Sequence, residues 1–244
     1  MAYSVQWVRC LVFNIQMYVM IAVIGIGFFP LALMSRNGAY MACHAYTSWI
    51  KWTAGWMIGL QTVVRGTPPK GAALVAAKHQ SFFDVMLIFA ALPRGKFIMK
   101  SLLMYAPIVG QYGLRLGCVP VNRGKRGAAV AKMLKDVANG AQDPGQLIIY
   151  PQGTRVAPGT HKPYKVGTAV LYEQMQQPCI PVATNVGVFW PKRGVYRKPG
   201  LAVIEFLEPI PPDLDKTAFL KKLESEIEEH SNRLMAEAGF VQKD

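Results

Sequence analysis

Beyond Leu60 the chain alternates short apolar runs with longer stretches of helical periodicity, a pattern that leaves few folds open. The spacing predicts strands over 61–65, 74–78, 97–100, 118–121, 147–150, 180–185 and 203–206. Between them it predicts helices over 81–92, 127–138 and 167–176, and a helical region over 102–116 that Pro107 interrupts. A charged amphipathic helix over 216–238 closes the chain, and its Glu224, Glu226, Glu228, Glu229 run reads as a solvated packing face without chemistry. Strand and helix in alternation imply an α/β fold with a mostly parallel central sheet flanked by helices, so residues 60–244 are expected to form one α/β domain.

Ahead of it, residues 11–34 form an apolar run of 24 residues broken only by Asn14 and Gln16. Such a run is long enough to cross a hydrocarbon core of about 30 Å. A cleaved signal peptide fits less well: the run is long, only Arg9 precedes it, and Ala32-Leu33-Met34-Ser35 is a poor cleavage site. Gly25, Gly27 and Pro30 lie inside it, so a re-entrant hairpin competes with a full span. In the helical stretch 40–61, Trp49, Trp52 and Trp56 recur at three- and four-residue spacing beside Lys51, as in a helix lying at headgroup level. Residues 1–59 are therefore read as membrane-anchoring helices. The hydrophobic content of 52% and mean hydropathy of +0.20 are high for a soluble protein. Arg36, Lys51, Arg65 and Lys70 follow the apolar run, which by the positive-inside rule puts the main domain on the cytoplasmic side.

Charge narrows the partners. The chain has 27 Lys and Arg against 14 Asp and Glu, for +13. Residues 1–204 hold 22 basic and 4 acidic side chains, +18, while residues 205–244 hold 5 and 10, −5. A cationic body suits an anionic partner, whether nucleic acid, a phospholipid surface or an acidic protein. The basic residues are scattered through an apolar chain and match no nucleic-acid-binding signature, which argues against nucleic acid. Cys10, Cys43, Cys118 and Cys179 show neither metal-like nor redox-like spacing and are expected to be free thiols. His44, His161 and His230 lack companions at ligand spacing, so no metal site is expected.

One histidine differs in its setting. Lys78-His79-Gln80-Ser81-Phe82-Phe83-Asp84 stands where a strand pattern stops and a helical one starts. Five residues turn through roughly 140° on an α-helix, so His79 and Asp84 cannot meet within one helix. They meet if His79 lies in the preceding turn. Ser81 and Asp84 have the form of a capping box, which would start the helix between the two groups and let the carboxylate fix the histidine tautomer. The alternative is a capped turn with no chemistry. Two more strands end in a guanidinium: Val119 to Gly124 places Arg123 beyond one, and Leu147 to Arg155 places Gly153, Thr154 and Arg155 beyond another. In open α/β sheets ligands gather at the carboxyl ends of strands, where two Arg forks can share one phosphate and Gly153 admits it closely.

Together these residues resemble the glycerolipid acyltransferase family, and within it the bacterial members that acylate 1-acyl-glycerol-3-phosphate. Its H-x-x-x-x-D block is matched at His79 and Asp84, and its apolar strand ending in Arg, loosely, at 117–123. Its F-P-E-G-T-R block is matched at Pro151, Gly153, Thr154 and Arg155, and its V-P-x-V-P-V-like strand is echoed by Cys179-Ile180-Pro181-Val182. The resemblance covers about residues 60–210, and an N-terminal membrane-associated segment is usual in the family. It implies transfer of a fatty acyl group from acyl-carrier protein or acyl-coenzyme A to the sn-2 hydroxyl of lysophosphatidic acid, at a bacterial inner membrane and against anionic phospholipids. His79 would be the general base, Asp84 its support, and Arg123 and Arg155 the holders of the acceptor phosphate, with Lys100 and Lys165 as weaker contacts. Transfer would be direct, without an acyl-enzyme, metal or further cofactor. Gln152 departs from the family's usual Glu, which leaves the acceptor open, including a lyso-ornithine lipid. Competing readings are a thioester hydrolase using His79 to activate water, which lacks a G-x-S-x-G elbow here, and a non-enzymatic protein that holds anionic membranes.

Overall fold

The computed structural model describes residues 3–121 and 143–241 and, between them, 128, 131, 132 and 135; for Lys100 it describes the backbone alone. Arg123 and most of the helix expected over 127–138 lie outside the described residues. The strands are β1 (Leu60–Arg65), β2 (Ala73–Ala77), β3 (Gly95–Lys100), β4 (Val119–Val121), β5 (Gln146–Ile149), β6 (Cys179–Thr184) and β7 (Gly200–Phe206). The helices are α1 (Tyr3–Gly27), α2 (Phe29–Met34), α3 (Arg36–Ile58), α4 (Phe83–Ala91), α5 (Val109–Arg115), α6 (Gly167–Met175), α7 (Val186–Phe189) and α8 (Lys216–Glu237). A 3₁₀ turn, Ser101–Tyr105, precedes Pro107, so the interrupted helical region resolves into that turn and α5.

The seven strands form one sheet in the order β1-β7-β6-β2-β5-β3-β4. Every pairing is parallel except β6 with β7. The exception has a local cause: the link between those strands contains only the one-turn α7, too short to carry the chain back across a face, so β7 returns antiparallel. β2 lies between β5 and β6, parallel to both, and β3 and β4 continue the same direction beyond β5. The carboxyl ends of β2, β5, β6, β3 and β4 therefore open at one edge of the sheet.

Along β2 the side chains divide by pleat. Ala73, Val75 and Ala77 join a core with residues of α1, α3 and α4, while Leu74 and Ala76 join another with residues of α6 and α8. Burial on both faces explains why the strand reads as an unbroken apolar run.

The N-terminal apolar run folds into a hairpin. α1 ends at Gly27, Pro30 occupies the first turn of α2, and Ser35 caps α3 by accepting the Gly38 N–H at 3.1 Å. Gly38 is required there, because a Cβ would lie 2.2 Å from the Leu31 carbonyl oxygen. α3 then runs back along α1. Gln6 donates to the Ile58 carbonyl at 2.9 Å, Tyr46 to the Met17 carbonyl at 3.2 Å, and Trp49 to Gln16 Oε1 at 2.8 Å. Gln16, a polar break in the apolar run, thus faces α3 rather than the outside. Val5, Val8, Val12, Ile15, Val19, Val23 and Ile26 on the other face of α1 are exposed, as are Trp52 and Trp56 on α3. α1 is long and apolar enough to cross a membrane. Both its ends nevertheless touch the α/β body: Gln6 donates to the Arg197 carbonyl at 3.0 Å, and the Gly25 carbonyl accepts from the Tyr112 hydroxyl at 2.7 Å.

Candidate active site

β2 ends at Ala77, and the Lys78 N–H makes one more sheet-like bond, to the Val182 carbonyl at 2.9 Å, before the chain turns away. The turn is shaped by a single buried carboxylate. Asp84 Oδ2 accepts from the backbone N–H groups of Gln80 at 2.8 Å and Ser81 at 2.7 Å, and Asp84 Oδ1 lies 2.9 Å from His79 Nδ1. Ser81 Oγ accepts from the Phe83 N–H at 3.2 Å. Half of the expected capping box forms: Asp84 reaches back to the Ser81 N–H, but the helix begins at Phe83 with Phe82 at its N-cap, and Ser81 bonds the Phe83 N–H rather than that of Asp84.

A carboxylate only accepts hydrogen bonds, so Nδ1 carries the hydrogen and the Nε2 lone pair is left for a proton. Asp84 is completely buried, whereas the His79 side chain is 16% exposed, so the base alone has an opening. Nε2 makes no hydrogen bond among the described residues. The His79 ring stacks on that of Tyr150, with centroids 4.0 Å apart and planes at 20°, a contact not anticipated from the sequence. Burial, and after it the Asp84 carboxylate, pushes the Tyr150 phenol well above its ordinary range, so it stays neutral.

The segment after β5 returns to this turn. Its first residues close on themselves, the Gly153 N–H donating to the Tyr150 carbonyl at 2.9 Å, and Gly153 takes a left-handed φ of 69°. The Val156 N–H then donates to the His79 carbonyl at 2.8 Å. That bond ties the Gly153-Thr154-Arg155 stretch to the histidine turn. Arg155 Nη1 reaches the Lys192 carbonyl at 3.3 Å, and no carboxylate pairs with its guanidinium among the described residues. Lys165 joins the group, because a Cβ on Gly153 would lie 2.7 Å from its Nζ. Lys100 stands at the carboxyl end of β3, on the same edge of the sheet. β4, which leads to Arg123, ends on that edge too, although Arg123 itself lies outside the described residues.

Gln152 does not face outward with these groups. It is buried, its Nε2 donating to the Lys162 carbonyl at 3.1 Å and lying 3.5 Å from Glu228 Oε1, while its Oε1 has no partner among the described residues. Glu228, read from sequence as part of a solvated face, also has both oxygens 2.6 Å from the buried Lys78 Nζ. The acidic run is therefore not uniform: Glu228 turns inward. Its signal in the sequence was position. Phe219, Leu223, Ile227 and Leu234 mark the buried stripe of α8, and Glu228 lies beside it.

Burial raises the Cys179 thiol well above its usual range and pushes Cys118 up to about 11, so neither offers a thiolate at neutral pH. The geometry therefore provides a histidine of fixed tautomer with a ring nitrogen able to take a proton, a neighbouring cationic loop, and no activated sulfur nucleophile among these residues.

A family model described as Acyltransferase matches residues 59–185, more than half of the chain, and takes in both the histidine turn and the Gly153 loop. The chain belongs to this acyltransferase family. The chain is 29% identical over 184 residues to the putative 1-acyl-sn-glycerol-3-phosphate acyltransferase acl-2 of Caenorhabditis elegans, covering 73% of this chain and 64% of the relative. It is 23% identical over 194 residues to a 1-acyl-sn-glycerol-3-phosphate acyltransferase of Pseudomonas aeruginosa, covering 79% of this chain and 76% of the relative. An enzyme of the same name from Saccharomyces cerevisiae is 29% identical over 161 residues, 63% of this chain and 53% of the relative. The chain thus spans about half to three quarters of the length of these relatives. Its fold is that of the 1-acyl-sn-glycerophosphate (LPA) acyltransferase PlsC from Thermotoga maritima, with a TM-score of 0.79 at 21% identity over 98% of this chain and 100% of that one.

Proposed function

We propose that the acyltransferase moves a fatty acyl chain from a thioester, on acyl-carrier protein or coenzyme A, to the sn-2 hydroxyl of 1-acyl-glycerol-3-phosphate, giving phosphatidic acid. The observation that carries this reading is the His79–Asp84 pair, tied by a backbone hydrogen bond to the loop that holds Arg155. The names of the curated relatives supply the acceptor.

An alcohol is a weak nucleophile at neutral pH. With its hydroxyl against Nε2, the alcohol oxygen attacks the thioester carbonyl as His79 takes the proton. The carbon–oxygen bond forms, the tetrahedral oxyanion collapses, and the carbon–sulfur bond breaks. The departing thiolate takes the proton back from the imidazolium, so ester and thiol leave a neutral histidine and an unchanged enzyme. Asp84 holds the ring and balances the imidazolium while it exists. Arg155, with Arg123 and Lys165, holds the acceptor phosphate, and Gly153 admits it close to the backbone. A positioned base contributes roughly 10² to 10⁴ in rate, and orientation by the phosphate grip adds to it. The thioester is the only co-substrate, and the reaction needs no metal.

The bilayer supplies the lipid acceptor. The exposed apolar face of α1 and the outward Trp52 and Trp56 suit the interior and headgroup region of a membrane. Contact of both ends of α1 with the α/β body favours a hairpin embedded from one side over a separate span. On this reading the body rests on the cytoplasmic face of an inner membrane, its cationic surface toward anionic phospholipid.

A labelled acyl-donor assay against a panel of lysolipids tests the proposal. Wild-type enzyme is expected to acylate lysophosphatidate, and His79→Ala to lose transfer while still sedimenting with membranes. Undiminished transfer by His79→Ala sinks the mechanism. A preference for a lysolipid without a phosphate monoester, such as a lyso-ornithine lipid, replaces the acceptor assignment. Thioester hydrolysis independent of any lysolipid replaces the reaction.

A further inference from the structure

The Lys78 side chain is only 2% exposed, yet it carries an ammonium group immediately before the histidine in sequence. Glu228, 150 residues away on α8, meets it with both carboxylate oxygens at 2.6 Å. The same carboxylate accepts the Tyr164 hydroxyl at 3.0 Å and faces Gln152 Nε2 at 3.5 Å. Its three partners come from separate segments, each next to a group of the proposed site: Lys78 precedes His79, Gln152 precedes Gly153, and Tyr164 precedes Lys165. We propose that Glu228 is a positioning residue for acyl transfer, holding with one half-buried carboxylate the three segments that carry the base and the phosphate-binding groups. The proposal rests on the functional reading above.

Gln152 follows from the same arrangement. Its Nε2 serves the Lys162 carbonyl and faces Glu228, and both of those neighbours are acceptors. Flipping the amide would turn its oxygen toward two acceptors, so the orientation is fixed by its partners. A glutamate at 152 would set one carboxylate against another and against a carbonyl oxygen. Where the block that this loop resembles has a glutamate, this chain has Gln152, and the carboxylate beside it is Glu228 of the terminal helix. Tyr164, buried and beside Glu228, has its phenol raised well above the ordinary range by burial first and the carboxylate second, and so remains a donor to Glu228. α8 does not depend on Glu228 for its seat: Phe219, Leu223, Ile227 and Leu234 are fully buried, and the Leu234 carbonyl accepts from Asn185 Nδ2 at 3.2 Å.

The test measures kcat, acceptor KM and melting temperature on the full-length enzyme in detergent with lysophosphatidate. Glu228→Gln keeps the shape and removes the charge, and is expected to lower kcat by about tenfold to a hundredfold through displacement of the base. Because a buried unpaired ammonium can itself unfold a protein, the deciding variant is Lys78→Met/Glu228→Leu, which replaces the pair with apolar groups of similar size. It is expected to melt near the wild-type temperature and still show the lowered kcat. Wild-type kcat in that double variant makes the pair purely structural and overturns the proposal. Gln152→Glu is expected to lose activity, and Gln152→Glu/Glu228→Gln to regain about tenfold of it, as coupled neighbours do. No gain in the second overturns the charge exchange. His79→Ala separates the two levels: if it is inactive while the Glu228 variants are not, only this inference fails, whereas an active His79→Ala removes the site itself.

Discussion

Asp84 shows how much one side chain can do when it is buried with no solvent to share its hydrogen bonds. Its two oxygens accept three donors, two from the backbone and one from His79. Asp84→Asn has only one oxygen to offer. If that oxygen keeps the Gln80 and Ser81 N–H groups, the amide NH₂ faces Nδ1 and drives the hydrogen to Nε2, the wrong tautomer for a base. We expect kcat to fall on the order of 10³- to 10⁴-fold with only modest change in melting temperature, as when the acid of a Ser-His-Asp triad is amidated. Tyr150 gives the opposite case. Its ring stacks on His79, but its buried hydroxyl has no partner among the described residues. Tyr150→Phe keeps the stack and removes an unsatisfied group, so it is expected to retain kcat within about twofold and to gain about 1 kcal/mol in stability. Thermal melting of the variant checks the sign: a lower melting temperature would mean the hydroxyl has a partner in solution.

At the scale of elements, the site is a junction of two strand-end turns. β2 and β5 are parallel neighbours, so whatever follows each of them emerges at the same edge, and the Val156–His79 bond locks the two turns together. Gly153 takes its left-handed conformation in the second turn under the Lys165 ammonium. Gly153→Ala is expected to cost about 1–2 kcal/mol for the left-handed backbone and to push Lys165 aside. Its kinetic mark should be a raised KM for lysophosphatidate with less change in kcat, since it disturbs the proposed phosphate grip rather than the histidine. A fall in kcat alone would place the loop on the donor side. The four-block pattern made these turns legible, because the residues proposed to carry the chemistry also shape the turns: Ser81 and Asp84 start a helix, and Gly153 permits a left-handed turn. Lys78, Tyr150 and Glu228 were missed for the converse reason. Their contacts are with partners 64 to 150 residues away, and no local pattern encodes such a contact.

The whole molecule has two surfaces of different character: the uncovered apolar face of α1, with Trp52 and Trp56 close by on α3, and a cationic body of +18 over residues 1–204. Val12 and Val19 are exposed, so Val12→Glu/Val19→Glu should leave the melting temperature unchanged while abolishing flotation with lipid vesicles. Binding to anionic vesicles should also weaken with salt, as the screening length falls from about 10 Å at 0.1 M to about 3 Å at 1 M. Salt-independent flotation would assign membrane attachment to the apolar face alone. From its sequence this protein was already committed to an α/β sheet, a membrane-seeking N-terminus and a His-Asp pair at a helix start, because periodicity, run length and capping are local properties of the chain. The hairpin that returns α3 along α1, the antiparallel β7, the stacking of Tyr150 on His79 and the inward turn of Glu228 were decided only in three dimensions. There the cost of burying a charge or an unpaired donor selects partners that the order of residues does not reveal.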